Sequence, residues 1–171
     1  RQVAACVQTA YEHDGPVYIK IGMNHEKEYF EDGYVHDVKK SDCLRDGKNI
    51  AVFVTGSILD EAMKACEMLE QNGISVKLIN VTTIKPFNEN EVLDIVKKIK
   101  KIAVIEEHNI YGGLASIISE TIVYNGLNAR VIPIGLNDTF AGGYGTHAMV
   151  RKVNQLDSIS IYQRLKEACK E

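Results

Sequence analysis

Glu106, Glu107 and His108 follow directly on the apolar run 102–105, and a Gly112-Gly113 turn separates them from a second apolar stretch with helical spacing. Two carboxylates and an imidazole are the groups of acid–base chemistry, and the carboxyl end of a strand in an open α/β sheet is where such groups meet ligands. Their adjacency excludes one arrangement. Neighbouring side chains leaving a strand point to opposite faces, so Glu106 and Glu107 are not expected to act as a pair on one substrate atom. His108 is able to change charge near neutral pH or to donate to an anion or carbonyl, although a hydrogen-bonded histidine at an interface is the plainer reading. No second histidine stands at ligand spacing, so no metal site is expected, and spacing assembles no Ser-His-Asp or Cys-His set.

Two glycine-containing stretches could hold an anion. Thr55-Gly56-Ser57 falls between a strand and a helix, where backbone amides converge, but neither a GxGxxG nor a GxxxxGK[ST] pattern is present. Ser57 with Asp60 three residues on reads more simply as a helix cap. The loop 141–146, Ala-Gly-Gly-Tyr-Gly-Thr, has glycine enough to wrap a phosphate, yet no lysine follows and no strand runs straight into it. A surface loop is the expectation there. Cys6, Cys43, Cys66 and Cys169 are scattered without a CxxC pair, which points to reduced thiols and a cytoplasmic location.

The elements that must position these residues can be read in order. Apolar spacing predicts an opening helix that stops at Asp14-Gly15-Pro16, and the alternation over 17–21 predicts a strand. Since the chain begins at Arg1 with its helical pattern already running, it reads as one entered partway through a larger protein. A charged, aperiodic stretch follows to about Val35 and marks the best domain boundary. Segments 36–44 and 49–54 flank Asp46-Gly47, the signature of a two-residue hairpin. Thereafter strands (51–55, 76–81, 102–105, 130–134) alternate with amphipathic helices, and Asn88 with Glu91 can cap one of these. The strands are almost unbroken apolar runs. That pattern predicts an α/β fold of three layers, α/β/α, around a mostly parallel five-stranded mixed sheet with one strand antiparallel. A last helix is expected near 158–169.

Bulk properties exclude two classes of partner. A net charge of −3 over 171 residues provides no basic face for nucleic acid, and the lysines at 97, 98, 100 and 101 sit where cations complement a helix carboxyl end. No apolar run reaches the roughly 20 residues a membrane span requires.

An ordered series of short motifs resembles the C-terminal part of transketolase: G-P-V-Y-I-K-I-G (15–22), V-T-G-S (54–57), G-I-S-V-K-L-I-N (73–80), T-I-K-P-F (83–87), V-I-E-E-H (104–108), G-G-L (112–114) and I-G-L-N-D-T-F (134–140). The resemblance implies that residues 1–23 are a remnant of a pyrimidine-binding domain, 24–35 a linker and 36–171 the transketolase C-terminal domain. It also implies that thiamine diphosphate and Mg²⁺ serve the complete enzyme, in two-carbon ketol transfer between sugar phosphates, with none expected on this chain alone. The GDG metal motif and the activating glutamate of that family belong upstream; only EDG, RDG and HDG occur here. Implied partners are the upstream domains or a separate N-terminal subunit, within a homodimer. The family often carries Arg at the positions of Lys20 and Met23, and Ser-Gly near Tyr144-Gly145, so the substrate class stays open. Relatives with deoxyxylulose-phosphate synthase activity, or the beta subunits of 2-oxoacid dehydrogenases, remain alternatives, as does a small-molecule or anion-binding module using Thr55, Gly56 and Ser57. On the family reading no catalytic residue is expected in the chain. His108, Glu107, Gly112 and Gly113 then become candidates for a domain interface or the edge of a substrate channel.

Overall fold

The computed structural model describes residues 1–22 and 26–170. Its elements run α1 (Gln2–Glu12), β1 (Asp42–Arg45), β2 (Ile50–Thr55), α2 (Leu59–Gln71), β3 (Val76–Asn80), α3 (Glu89–Lys98), β4 (Lys101–Asn109), α4 (Leu114–Tyr124), β5 (Arg130–Leu136), α5 (His147–Val153) and α6 (Ser158–Lys170). The five strands form one sheet in the order β1-β3-β2-β4-β5. Only the β1–β3 pair is antiparallel.

Strand alternation divides the core into two layers. Ile50, Val52 and Val54 of β2, with Ala103 and Ile105 of β4, pack beneath α2 and α6 against Ala62, Cys66, Leu69, Ile161 and Leu165. Ala51, Phe53, Ile102 and Val104 face the other way, onto Val92, Val96, Leu114, Ile118 and Ile122 of α3 and α4. With both faces covered, continuous apolar strands are what a parallel sheet requires. Local signals hold at the helix ends. The Asn88 side chain accepts from the Glu91 amide at 3.3 Å, Lys97 and Lys98 occupy the last turn of α3, and α2 closes at Gly73, with the Ile74 amide donating to the Leu69 carbonyl at 3.0 Å.

The expected hairpin does not form. β1 is antiparallel as anticipated, but its partner is β3, with Asp42 opposite Asn80, and β2 lies on the far side of β3. Asp46-Gly47 is therefore a crossing over the amino end of β3. The Asn49 amide donates to the Ser75 carbonyl at 2.9 Å and the Ser75 amide to Asn49 Oδ1 at 2.7 Å, which pins the crossing. A Cβ on Gly47 would lie 2.3 Å from the Val76 carbonyl carbon, while its φ is outside the left-handed region. The glycine is needed there for close approach, and the turn pattern misread it.

Residues 17–21 form no strand either. Nothing among the described residues pairs with them, and Val17, Tyr18 and Ile21 are exposed. The opening helix exists as α1, but it buries no residue. Residues 26–35 hold no helix or strand. The boundary expected at 23/24, and Met23 itself, lie outside the described residues. β4 continues four residues beyond the apolar run that announced it, and α5 is an additional helix.

Candidate functional site

The chain connection reverses direction across the sheet between β2 and β4. α2 leaves β2 onto one face and α4 leaves β4 onto the other, so the carboxyl ends of these two neighbouring strands open a crevice, the usual ligand position in an open α/β sheet. Ser57 follows β2 and Glu106, Glu107 and His108 end β4, so this is where the sequence-identified groups gather.

The two carboxylates part as strand alternation requires. Glu106 shares the face of Ile102 and Val104 and is buried, with Oε2 accepting from the Leu114 amide at 2.8 Å and Oε1 from the Ala115 amide at 3.0 Å. It caps α4 from outside the helix, a charge-assisted arrangement that also complements the helix dipole. Gly113 makes room for it: a Cβ there would sit 2.2 Å from Glu106 Oε2.

Glu107 turns to the opposite face. Arg151 of α5 grips it twice, Nε donating to Oε1 at 2.7 Å and Nη2 to Oε2 at 3.0 Å. The Ser57 hydroxyl donates to Oε2 at 2.6 Å, and His147 Nε2 lies 2.8 Å from Oε1. Since a carboxylate only accepts, Nε2 of His147 carries the proton in this contact. Arg151 Nη2 also reaches Ser57 Oγ at 3.3 Å. Burial by itself raises the Glu107 carboxyl, but the hydrogen bonds from Arg151 and Ser57 and the charges of Arg151 and His147 outweigh it and bring it down to about 2. Glu107 is thus ionised at any working pH, a poor general acid and a saturated acceptor.

Ser57 does not cap α2. The cap position falls at Ile58 and makes no side-chain bond, because the hydroxyl is given to Glu107. Thr55 Oγ1 donates to the Val81 carbonyl at 2.8 Å. Both hydroxyls of the Thr55-Gly56-Ser57 stretch are engaged, and a carboxylate stands at their side. His108 is exposed, its Nδ1 2.9 Å from the Asn109 carbonyl oxygen, and it joins none of these groups. Gly112 donates its amide to Ser116 Oγ at 2.8 Å.

Sequence reasoning missed His147 and Arg151. They stand four residues apart on α5, behind a Gly145-Thr146 pair in which Thr146 Oγ1 accepts from the Met149 amide at 3.3 Å. That cap was the available signal for a short helix. Nothing local could tie it to Glu107, which is 44 residues away.

Residues 39–158 match the family model of the transketolase C-terminal domain. The chain belongs to that family. Its transketolase-like sheet is mirrored in a solved split-gene transketolase described as an inactive beta4 tetramer, with a TM-score of 0.90 and 25% identity over 99% of this chain and 55% of that one. A transketolase C-terminal section of Methanocaldococcus jannaschii is 35% identical over 96% of this chain and 52% of its own length. An apulose-4-phosphate transketolase subunit from Actinobacillus succinogenes is 32% identical over 91% and 50%, respectively. A 1-deoxy-D-xylulose-5-phosphate synthase of Halothermothrix orenii is 32% identical over 92% of this chain and a quarter of its own length, 25%. The transketolase-family chain described here spans about half the length of the first two of these relatives.

The family implies thiamine diphosphate and a divalent cation. The crevice residues do not fit them. Arg151 and His147 are both spent on Glu107, the Ser57 and Thr55 hydroxyls are donated elsewhere, and the ionised Glu107 beside them would repel a diphosphate. Among the described residues no three His, Cys, Asp or Glu side chains converge as metal ligands. The arrangement is suited to holding α5 across the strand ends. No helix of the described residues is long and apolar enough to cross a membrane.

Proposed function

We propose that this chain is the C-terminal section of a thiamine-diphosphate-dependent transketolase that transfers two-carbon ketol units between sugar phosphates, and that it contributes packing and assembly while the cofactor is held by an upstream polypeptide. The observation that carries this reading is the pattern of coverage: relatives named as a transketolase section and a transketolase subunit align with nearly all of this chain but with only about half of themselves. The closed crevice agrees with it, since the position where an α/β sheet would bind a ligand is filled by the Glu107–Arg151 pair.

Residues 1–23 are assigned to the end of a pyrimidine-binding domain, 24–35 to a linker and 36–171 to the C-terminal domain. In support, the family match begins at 39 and α1 buries nothing against the sheet. His108, Glu107, Gly112 and Gly113 are assigned to the face that this domain turns to its neighbours, and the exposure of His108 supports that placement. Self-association is part of the proposal, in keeping with the tetramer named for the split-gene relative. Thiamine diphosphate and Mg²⁺ act only in the complete enzyme, in the cytoplasm.

Calorimetric titration of thiamine diphosphate with Mg²⁺ tests the reading. No binding is expected to the chain alone, and stoichiometric binding is expected once the upstream polypeptide is present; tight stoichiometric binding to the chain alone would overturn it. A second reading is favoured by the synthase relative of Halothermothrix orenii. Formation of 1-deoxy-D-xylulose 5-phosphate by the assembled protein, without ketol transfer, would select it.

A further inference from the structure

We propose that Asp42 is a positioning residue: its carboxylate docks α1 and the segment 26–36 on the edge strand of the sheet, so that both move with this domain and the movable joint toward an upstream domain lies in residues 13–22. This rests on the proposed function, which assigns residues 1–23 to such an upstream domain, and it names the side chain that holds the junction.

α1 depends on outside contacts for its order. It has 11 residues, and none of them is buried. A helix of that length is marginal in water unless the rest of the protein supports it. The support is polar. Gln2 Nε2 donates to Asp42 Oδ2 at 3.1 Å, Thr9 Oγ1 to the His36 carbonyl at 3.2 Å, and Arg1 Nε to Asp32 Oδ1 at 2.5 Å. The last two contacts end on the segment 26–36, so α1 is held only as firmly as that segment is.

The segment is anchored at two tyrosines although it contains no helix or strand. Tyr29 packs against the core layer under α2 and α6 and donates its hydroxyl to Asp60 Oδ1 at 2.6 Å. Tyr34, with its ring centre 4.3 Å from that of Phe30, donates to Asp42 Oδ1 at 2.8 Å.

The sheet meets the same carboxylate. β1 is an edge strand, and Asn80 of β3 stands opposite Asp42 in the antiparallel pair. Asn80 is buried and donates Nδ2 to Asp42 Oδ2 at 3.5 Å. Among the described residues Asp42 is thus the side chain on which α1, the segment and the sheet converge. Its three donors, a phenol and two amides, are neutral, so the node depends on which partner donates and which accepts. Residues 13–18 and 20–22, by contrast, are exposed.

Hydrogen exchange of the 171-residue chain tests this. In the wild type the α1 amides should be protected, though less than those of β2 and β4. Gln2→Glu sets two carboxylates face to face and should speed α1 exchange at least tenfold while β2 and β4 stay unchanged. Adding Asp42→Asn to Gln2→Glu should restore the protection, because the asparagine amide can donate to the new carboxylate. Asp42→Ala should loosen α1 at least as much as Gln2→Glu; where it also disturbs β2 and β4, Gln2→Glu and its suppression decide. Chymotrypsin should cut after Tyr18 and spare Tyr29 and Tyr34. Wild-type α1 amides that exchange at the unfolded rate, indifference to Gln2→Glu, a loss that Asp42→Asn fails to restore, or equal cutting at the three tyrosines would overturn the proposal. Ketol transfer by the assembled protein is measured separately: α1 protection that follows these substitutions in a protein without transfer activity sustains the role of Asp42 and rejects the functional reading, and the converse result does the opposite.

Discussion

Replacing Glu107 by Gln removes the negative charge on which Arg151, Ser57 and His147 converge. The gap between an ordinary carboxyl near 4.5 and Glu107 at about 2 corresponds to roughly 3 kcal/mol at full strength. Glu107 is 23% exposed and Arg151 11%, so solvent screening reduces this to about 1.5–2 kcal/mol. The uncompensated Arg151 adds to the loss. At about 2–4 °C per kcal/mol for a chain of this size, Tm at pH 7 should fall by about 3–8 °C. The sign with pH follows from the lowered folded-state value. The ionised carboxylate stabilises the fold fully above pH 4.5, and that stabilisation is lost as pH falls from 4.5 toward 2. Urea denaturation of wild type and Glu107→Gln at pH 7, 4 and 2.5 should therefore give two midpoints that are well separated at pH 7 and converge in acid. Equal midpoints at pH 7, or a gap that stays constant to pH 2.5, would refute the reasoning.

Three further outcomes follow from other parts of the molecule. Glu106→Gln leaves the buried amides of Leu114 and Ala115 with a neutral and incomplete acceptor and should cost about 1–3 kcal/mol in chemical denaturation, whereas an unchanged midpoint would deny it the capping role. Gly47→Ala forces a methyl group into the Val76 backbone and should cost at least about 1–3 kcal/mol. Amide exchange should quicken first over Asp42–Arg45, and exchange as slow as in the wild type would remove the close-approach argument. Iodoacetamide at pH 8 should label exposed Cys43 in the folded chain and Cys66 only on unfolding, because burial pushes the Cys66 thiol up to about 12. Peptide mapping that found both labelled at one rate would contradict this.

The parts of the fold that were legible in the sequence are those specified by local pattern. Apolar runs located β2 to β5, helical spacing with Asn88 and Gly73 bounded α2 and α3, and strand alternation separated Glu106 from Glu107 in advance. What failed depends on contacts distant in sequence. Asp46-Gly47 has the composition of a hairpin turn, but the antiparallel partner of β1 lies beyond α2, where no turn rule reaches. The alternation over 17–21 signals strand propensity without supplying a neighbour to pair with. Ser57 matched a capping pattern, yet its hydroxyl is claimed by a carboxylate 50 residues away. Arg151 completes the site from a seven-residue helix, too short to produce a clear period.

Ketol transfer by the reconstituted protein is the most direct measurement. The chain should be assayed with sugar phosphates, thiamine diphosphate and Mg²⁺, alone and together with the polypeptide that corresponds to the other half of its relatives. Activity only in the combination is the predicted result. Transfer by the chain alone, or an assembled and cofactor-loaded complex without transfer, would contradict it.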